Sequence, residues 1–282
     1  MRKAKTKSFY TEEELEKFNH KETFTVFDPT TMPHNFSMAI YGRRRSGKTI
    51  VLKDILSKTK GWFAKAYLFS ETLEDQPDLY NFVPEENRFN GFDQEVMWKI
   101  YTKQQGYIRR ELAKAKSEGR KLDKSKLDHV LFIYDDVINN PEIRSSEILN
   151  KIHVSGRHTN MASIILSQEV GGKYGINKVQ RTNEDIIISF PQKSEYDREL
   201  VVGQYLSVIN KNIGDSIFRT LTNDPYNCLV IENYKPTLQY EEFVHWYLAD
   251  PDVNDFMVGE DGERYKEDVL VKVAKYMEFD NK

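Results

Sequence analysis

The run Gly42-Arg43-Arg44-Arg45-Ser46-Gly47-Lys48-Thr49 has the G-x-x-x-x-G-K-[ST] spacing of a phosphate-binding loop. Its glycines allow a tight turn in which successive backbone N–H groups point inward at a β-phosphate. In that frame Lys48 reaches the β- and γ-oxygens, and the Thr49 hydroxyl is a ligand for Mg²⁺. Arg43, Arg44 and Arg45 raise the local positive potential, and one of them is placed to contact the nucleotide or a neighbour. The acids come from a second stretch, where the apolar run Val130–Tyr134 ends in Asp135-Asp136. Two adjacent carboxylates at the end of an apolar strand are costly without a cation to neutralise them. The pattern assigns Asp135 to Mg²⁺ and Asp136 to the attacking water. Gln168, closing Ala162–Gln168, carries an amide that can sense a γ-phosphate or position that water. Phosphoryl transfer also needs a cation where charge builds in the transition state. Arg157, in Ser155-Gly156-Arg157-His158, and Arg181, in Val179-Gln180-Arg181-Thr182-Asn183, are the candidates, within one subunit or across into a neighbour's site. His153 and His158 are five apart, a poor spacing for one helix face, so no metal is assigned to them.

These residues need a scaffold that brings them to one edge. Phe36–Tyr41 reads as a buried strand, and Lys48 onward, with Ile50, Val51, Leu52, Ile55 and Leu56, as a helix whose N-terminus faces the anion. Further strands are expected at Lys65–Ser70, His129–Tyr134, Ala162–Gln168, Asp185–Phe190 and Cys228–Glu232. Helices are expected from Pro141 to about Val154, closed by Gly156, after the Ser194 cap, and over Tyr240–Leu248. Near-continuous apolar strands alternating with helices predict an α/β fold with a mostly parallel central sheet flanked by helices. Ligands in such sheets sit beyond the strands' carboxyl ends, where Gly42–Thr49, Asp135-Asp136 and Gln168 all fall.

Around this domain, assigned to residues 36–248, three segments differ in texture. Residues 1–35 read as an N-terminal arm, with a basic tip, a short helix over Thr11–Phe18 and an edge strand at Thr23–Phe27. Residues 93–127 read as a basic helical insertion, with Met97, Tyr101, Ile108, Leu112 and Ala115 at helical spacing. Its other faces carry Lys99, Arg109, Arg110, Lys114 and further lysines and arginines. Residues 249–282 form an acid-rich C-terminal tail. Gly171-Gly172-Lys173-Tyr174-Gly175 reads as a flexible loop.

The 282-residue chain has room for one large α/β domain with extensions. A net charge of −3 leaves no global basic field, so contact with nucleic acid must be a local patch. A single cysteine, Cys228, excludes an internal disulfide and a cysteine-based zinc site. No apolar run approaches the length of a membrane span, which predicts a soluble, intracellular protein.

Four segments together resemble one family: Gly42–Thr49, the strand closing in Asp135-Asp136, Gly156-Arg157-His158 with Ala162–Gln168, and Asp224-Pro225-Tyr226-Asn227 running into Cys228–Ile231. Over about residues 36–248 the chain resembles the poxvirus-type genome-packaging ATPases of the FtsK–HerA superfamily. The resemblance implies a RecA-like P-loop NTPase of the ASCE type that assembles, usually as a hexamer, around double-stranded DNA. It also implies ATP and Mg²⁺, a capsid or portal-vertex partner, and a place in the host-cell cytoplasm, at a viral assembly site or with the virion. Carried over by residue, Lys48 and Thr49 are the phosphate-loop pair, Asp135 the Mg²⁺ carboxylate, Asp136 the catalytic acid, Gln168 the sensor and Arg157 the motif arginine. The wider superfamily often has Glu where Asp136 stands, and aspartate is one methylene shorter. The rival readings are a cellular or transposon translocase or helicase of the same superfamily, and a small-molecule kinase. A GTPase is set aside, because Asn177-Lys178-Val179-Gln180 lacks the aspartate that base reading needs. DNA contact is expected at Lys173, or at Arg109, Arg110 and Lys114, through phosphates alone.

Overall fold

The computed structural model describes residues 20–137 and 141–259. The Thr11–Phe18 helix and the tail beyond residue 259 lie outside the described residues. Eight strands form one sheet: β1 (Ser37–Tyr41), β2 (Lys65–Ser70), β3 (Arg88–Asn90), β4 (Val130–Asp135), β5 (Met161–Ser167), β6 (Ile186–Ser189), β7 (Cys228–Glu232) and β8 (Val244–Tyr247). Their spatial order is β3-β2-β4-β5-β1-β6-β7-β8. The pairings from β3 to β6 are parallel, and β7 and β8 join in antiparallel fashion. The helices are α1 (Lys48–Thr59), α2 (Gln94–Ser117), α3 (Pro141–Arg144), α4 (Glu147–Ser155), α5 (Lys178–Arg181), α6 (Glu195–Tyr205), α7 (Lys211–Leu221) and α8 (Tyr240–Phe243).

Alternation along the strands builds two cores. Ala39, Tyr41, Tyr67, Phe69, Phe132 and Tyr134 face one side, where Met97 and Ile100 of α2, Ile148 and Ile152 of α4, and Ile213 and Ile217 of α7 pack. Met38, Ile40, Leu68, Leu131 and Ile133 face the other, against Val51, Leu52, Ile55 and Leu56 of α1. Each fully buried aliphatic side chain of α1 contributes about 1.5–3 kcal/mol. That helix is therefore fixed to the sheet through its whole length, and with it the loop that precedes it.

Several elements depart from the sequence expectation. Tyr240–Leu248 is one helical turn followed by β8, because Val244-His245-Trp246-Tyr247 finds a ladder partner in Cys228–Ile231. The strand expected at Thr23–Phe27 is a single bridge, Val26 to Trp246, although Phe24, Phe27 and Met32 are buried. The helix expected from Pro141 is two helices, broken at Ser145-Ser146. Gly156 stays right-handed; its need is for space, since a Cβ there would lie 3.1 Å from Met161, and the left-handed residue is Asn160 (φ 54°). The basic stretch supplies the β3–β4 crossover: Met97, Ile100, Tyr101, Gln104, Ile108 and Ala115 of α2 are buried. With 24 residues α2 is about 36 Å long, against about 20 Å for the longest strands, so its last turns overhang the sheet.

Candidate functional site

The phosphate loop leaves β1 at the centre of the sheet's carboxyl edge. The Gly42 N–H donates to the Ser167 carbonyl (3.0 Å), and the Phe190 N–H donates to the Tyr41 carbonyl (2.8 Å). A Cβ at Gly42 would lie 2.4 Å from Ser46 Oγ and 2.9 Å from the Phe190 ring, so only glycine fits that close approach. Gly47 precedes α1 at φ 107°, and Arg45 adopts φ 63° two residues earlier. Such alternation turns backbone N–H groups toward one concavity, an anion-binding nest. Ser46 Oγ is buried there with no hydrogen-bond partner among the described residues. The Arg43, Arg44 and Arg45 side chains are exposed, and Thr49 is half-buried.

Lys48 is buried, and its Nζ donates to the carbonyls of Gly42 (2.8 Å) and Arg43 (3.3 Å). Desolvation pulls the ammonium below its ordinary pKa, and the charges of Asp136 and Asp135 partly restore it. Strand register places the acids at the same edge: Asp135 lies opposite Leu166 of β5, and Leu166 lies opposite Ile40 of β1, two residues before Gly42. Successive strand residues point to opposite faces, so Asp135 and Asp136 would diverge if β4 simply continued. The chain instead turns left-handed at Asp136 (φ 57°), a conformation that aspartate tolerates. Burial pushes the Asp135 carboxyl up to about 6, against the opposing effects of a hydrogen bond from Tyr80 and the charge of Lys48. Gln168, one residue beyond β5, donates from Nε2 to Asp136 Oδ1 (3.2 Å). Thr49 and Asp135 offer one hydroxyl and one carboxylate, a donor set that suits Mg²⁺, which takes its remaining oxygens from phosphates and water. Among the described residues no cluster of three or more His, Cys, Asp or Glu could hold a metal ion by itself.

Two residues outside the sequence motifs shape the site. Tyr80 is wholly buried in the loop after β2, and its hydroxyl donates to Asp135 Oδ2 (2.6 Å). Phe190 lies under both loop glycines. Tyr80 carries no sequence signal, being a loop tyrosine 55 residues from its partner. Phe190 is legible in the sequence only as the end of a strand before Pro191.

The remaining candidates stand apart. Arg157 is exposed at the amino end of β5, while Gln168 follows its carboxyl end. The seven-residue strand between them spans about 20 Å, so Arg157 is remote from this chain's own phosphate loop. Arg181 donates to the carbonyl of Ile176, to that of Val170 (3.5 Å) and to Gln204 Oε1 (3.2 Å). Arg144 donates to the carbonyls of Gly172, Lys173 (3.0 Å) and Gly175 (3.2 Å). The glycine-rich loop is thus pinned by two arginines, where composition alone predicts flexibility. Lys173 is exposed on it, 5.1 Å above the Tyr174 ring. Arg109, Arg110 and Lys114 are exposed on the second half of α2, toward the strands' amino ends, so Lys173 and this cluster lie at opposite ends of the sheet.

Comparison with known proteins agrees with this geometry. Residues 26–237 match the Poxvirus A32 protein family. Protein 015R of Frog virus 3 (isolate Goorha) is 23% identical over 212 residues, which are 75% of this chain and 61% of that protein. Among solved structures, the genome packaging NTPase B204 from Sulfolobus turreted icosahedral virus 2, in complex with AMPPCP, superposes with a TM-score of 0.50. It is 13% identical, and the match covers 78% of this chain and 100% of B204. The pCW3 conjugation coupling protein TcpA gives a TM-score of 0.51 at 12% identity, covering 89% of this chain and 74% of TcpA. At such identities the likeness concerns the fold alone, a mostly parallel α/β sheet with the phosphate loop leaving its central strand. The match across 26–237 takes in the loop, both acids and Gln168, and the chain belongs to the Poxvirus A32 protein family.

Proposed function

We infer that the protein is an ATPase that drives double-stranded DNA into a preformed viral capsid. The observation that carries this reading is that Asp135, Asp136 and Gln168 stand at strand ends on the edge where the Lys48 loop leaves β1, with Gln168 bonded to Asp136. The A32 family membership and the fold shared with a packaging NTPase support it.

In this mechanism the loop amides cradle the β-phosphate, and Lys48 exchanges its two carbonyl partners for β- and γ-phosphate oxygens. Thr49 and Asp135 would hold Mg²⁺, which would supply positive charge to offset that of the phosphate oxygens. Asp136 takes a proton from the attacking water as its oxygen bonds to the γ-phosphorus and the bond to ADP breaks. Gln168, already bonded to Asp136, orients that water. Arg157, remote from its own chain's site, supplies its charge across a subunit boundary in a homo-oligomeric, hexameric ring. Arg181 holds the loop that follows the sensor strand. DNA is held through its phosphates, by Lys173 at one end of the sheet and by Arg109, Arg110 and Lys114 at the other, without reading sequence. A capsid-vertex protein is the docking partner, at the viral assembly site in the host cytoplasm. Among the described residues no helix is long and apolar enough to cross a membrane.

Steady-state ATP turnover tests the chemistry. Lys48→Ala should abolish it, and Asp136→Asn should bind ATP yet turn over about 10²–10⁴-fold more slowly. A wild-type rate in Asp136→Asn would remove the base assignment, and turnover by Lys48→Ala would remove the site.

A further inference from the structure

The acids and the sensor all lie on one flank of β1. In the strand order β4-β5-β1-β6-β7, Asp135 ends β4, Asp136 follows it and Gln168 follows β5. They fix where the γ-phosphate points. The nucleoside must therefore leave the loop on the opposite flank, over the ends of β6 and β7. Tyr226 stands there, in the Asp224-Pro225-Tyr226-Asn227 turn that leads into β7. Its ring edge lies 3.5 Å from the position a Cβ would take on Gly47, beside the Phe190 ring at 3.4 Å.

Nothing in the fold itself accounts for that ring. Tyr226 is 65% exposed, and among the described residues its hydroxyl takes no hydrogen bond. Its backbone is held at φ 64°, a left-handed conformation that costs an aromatic residue stability. The turn is fixed from both sides. Asn227 N–H donates to the Asp224 carbonyl (3.2 Å), Asn227 Nδ2 donates to Asp224 Oδ2 (3.0 Å), and Lys21 pairs with Asp224 (3.2 Å). A strained, rigid turn thus presents a bare aromatic face next to the second glycine of the phosphate loop.

We propose that Tyr226 is the platform on which the nucleobase of the bound nucleoside triphosphate stacks. The proposal rests on the ATPase reading and adds the residue that recognises the other end of the substrate. A π-face meets any base, so the platform supplies affinity with little choice between adenine and guanine.

The test measures binding of a non-hydrolysable ATP analogue and of inorganic tripolyphosphate, each with Mg²⁺, to the full chain. Tyr226→Gly removes the ring and suits the positive φ, so the turn survives. It should weaken binding of the ATP analogue about tenfold and leave tripolyphosphate binding unchanged. Tyr226→Phe should rescue most of the loss, because stacking uses the ring and not the hydroxyl. Unchanged analogue affinity in Tyr226→Gly would overturn the proposal, as would equal losses for both ligands, which would mark a purely structural turn. A wild-type chain that binds neither ligand would overturn the ATPase reading as well.

Discussion

Asp135 is placed where its charge is expensive. Burial lifts its carboxyl from 3.8 to about 6, and the Tyr80 hydroxyl opposes that shift by donating to the ionised form. The sign of the pH effect follows directly. Protons occupy Asp135 below about pH 6, so Mg²⁺-supported ATP binding should weaken as pH falls through that value. Without ligand the linkage runs the other way: a raised carboxyl pKa means stability is lost as pH rises from about 3.8 to about 6. Tyr80→Phe removes the donor that favours the carboxylate, so the binding midpoint should move up by about one pH unit. Titrating ATP affinity against pH in the two proteins checks this, and coincident midpoints would mean that Tyr80 only fills space. Nothing in the sequence marks Tyr80 as a partner of Asp135, because the contact depends on how a loop after β2 folds back over the end of β4.

At the scale of elements, the strands are legible in the sequence wherever both faces are buried. Leu131–Tyr134, Ile164–Leu166 and Ile186–Ile188 are continuous apolar runs because helices cover the sheet on both sides. Edge elements are harder to read. Arg88-Phe89-Asn90 is three mostly polar residues, and β8 has aromatic residues whose spacing also fits a helix. The sequence hides α7 although Ile213, Ile217, Phe218 and Leu221 share one face, since Gly214 interrupts the pattern at the point where it packs against Val202 and Leu206. The segment after β8 has the composition of an acidic tail, yet it straps the face that α1 covers. The Asp250 N–H donates to Asp54 Oδ2 (3.2 Å), Phe256 stacks on Phe82 (5.7 Å between centroids), and the Val258 N–H donates to the Phe82 carbonyl (2.8 Å). Phe82 lies two residues from Tyr80, so the strap braces the loop that touches Asp135. Phe256→Ala should cost about 1–2 kcal/mol and lower the thermal midpoint by about 2–6 °C. An unchanged melt would mean that the strap does not dock in solution.

For the whole molecule, a parallel sheet collects the chemistry at its carboxyl edge and leaves the rest of the surface to partners. The phosphate loop and the paired acids are legible in the amino-acid sequence, because each motif needs only local spacing and an apolar strand behind it. The positions of the arginines are not, since Arg157 and Gln168 are close along the chain but stand at opposite ends of one strand. That separation fits the proposed ring, in which the next subunit would finish each site. The direct test is ATP turnover with and without double-stranded DNA, measured alongside mass in solution. The expected result is an oligomer whose turnover rises when DNA of any sequence is added, with the stimulation falling as salt is raised. A monomer whose turnover ignores DNA and rises only with a small phosphoryl acceptor would contradict it.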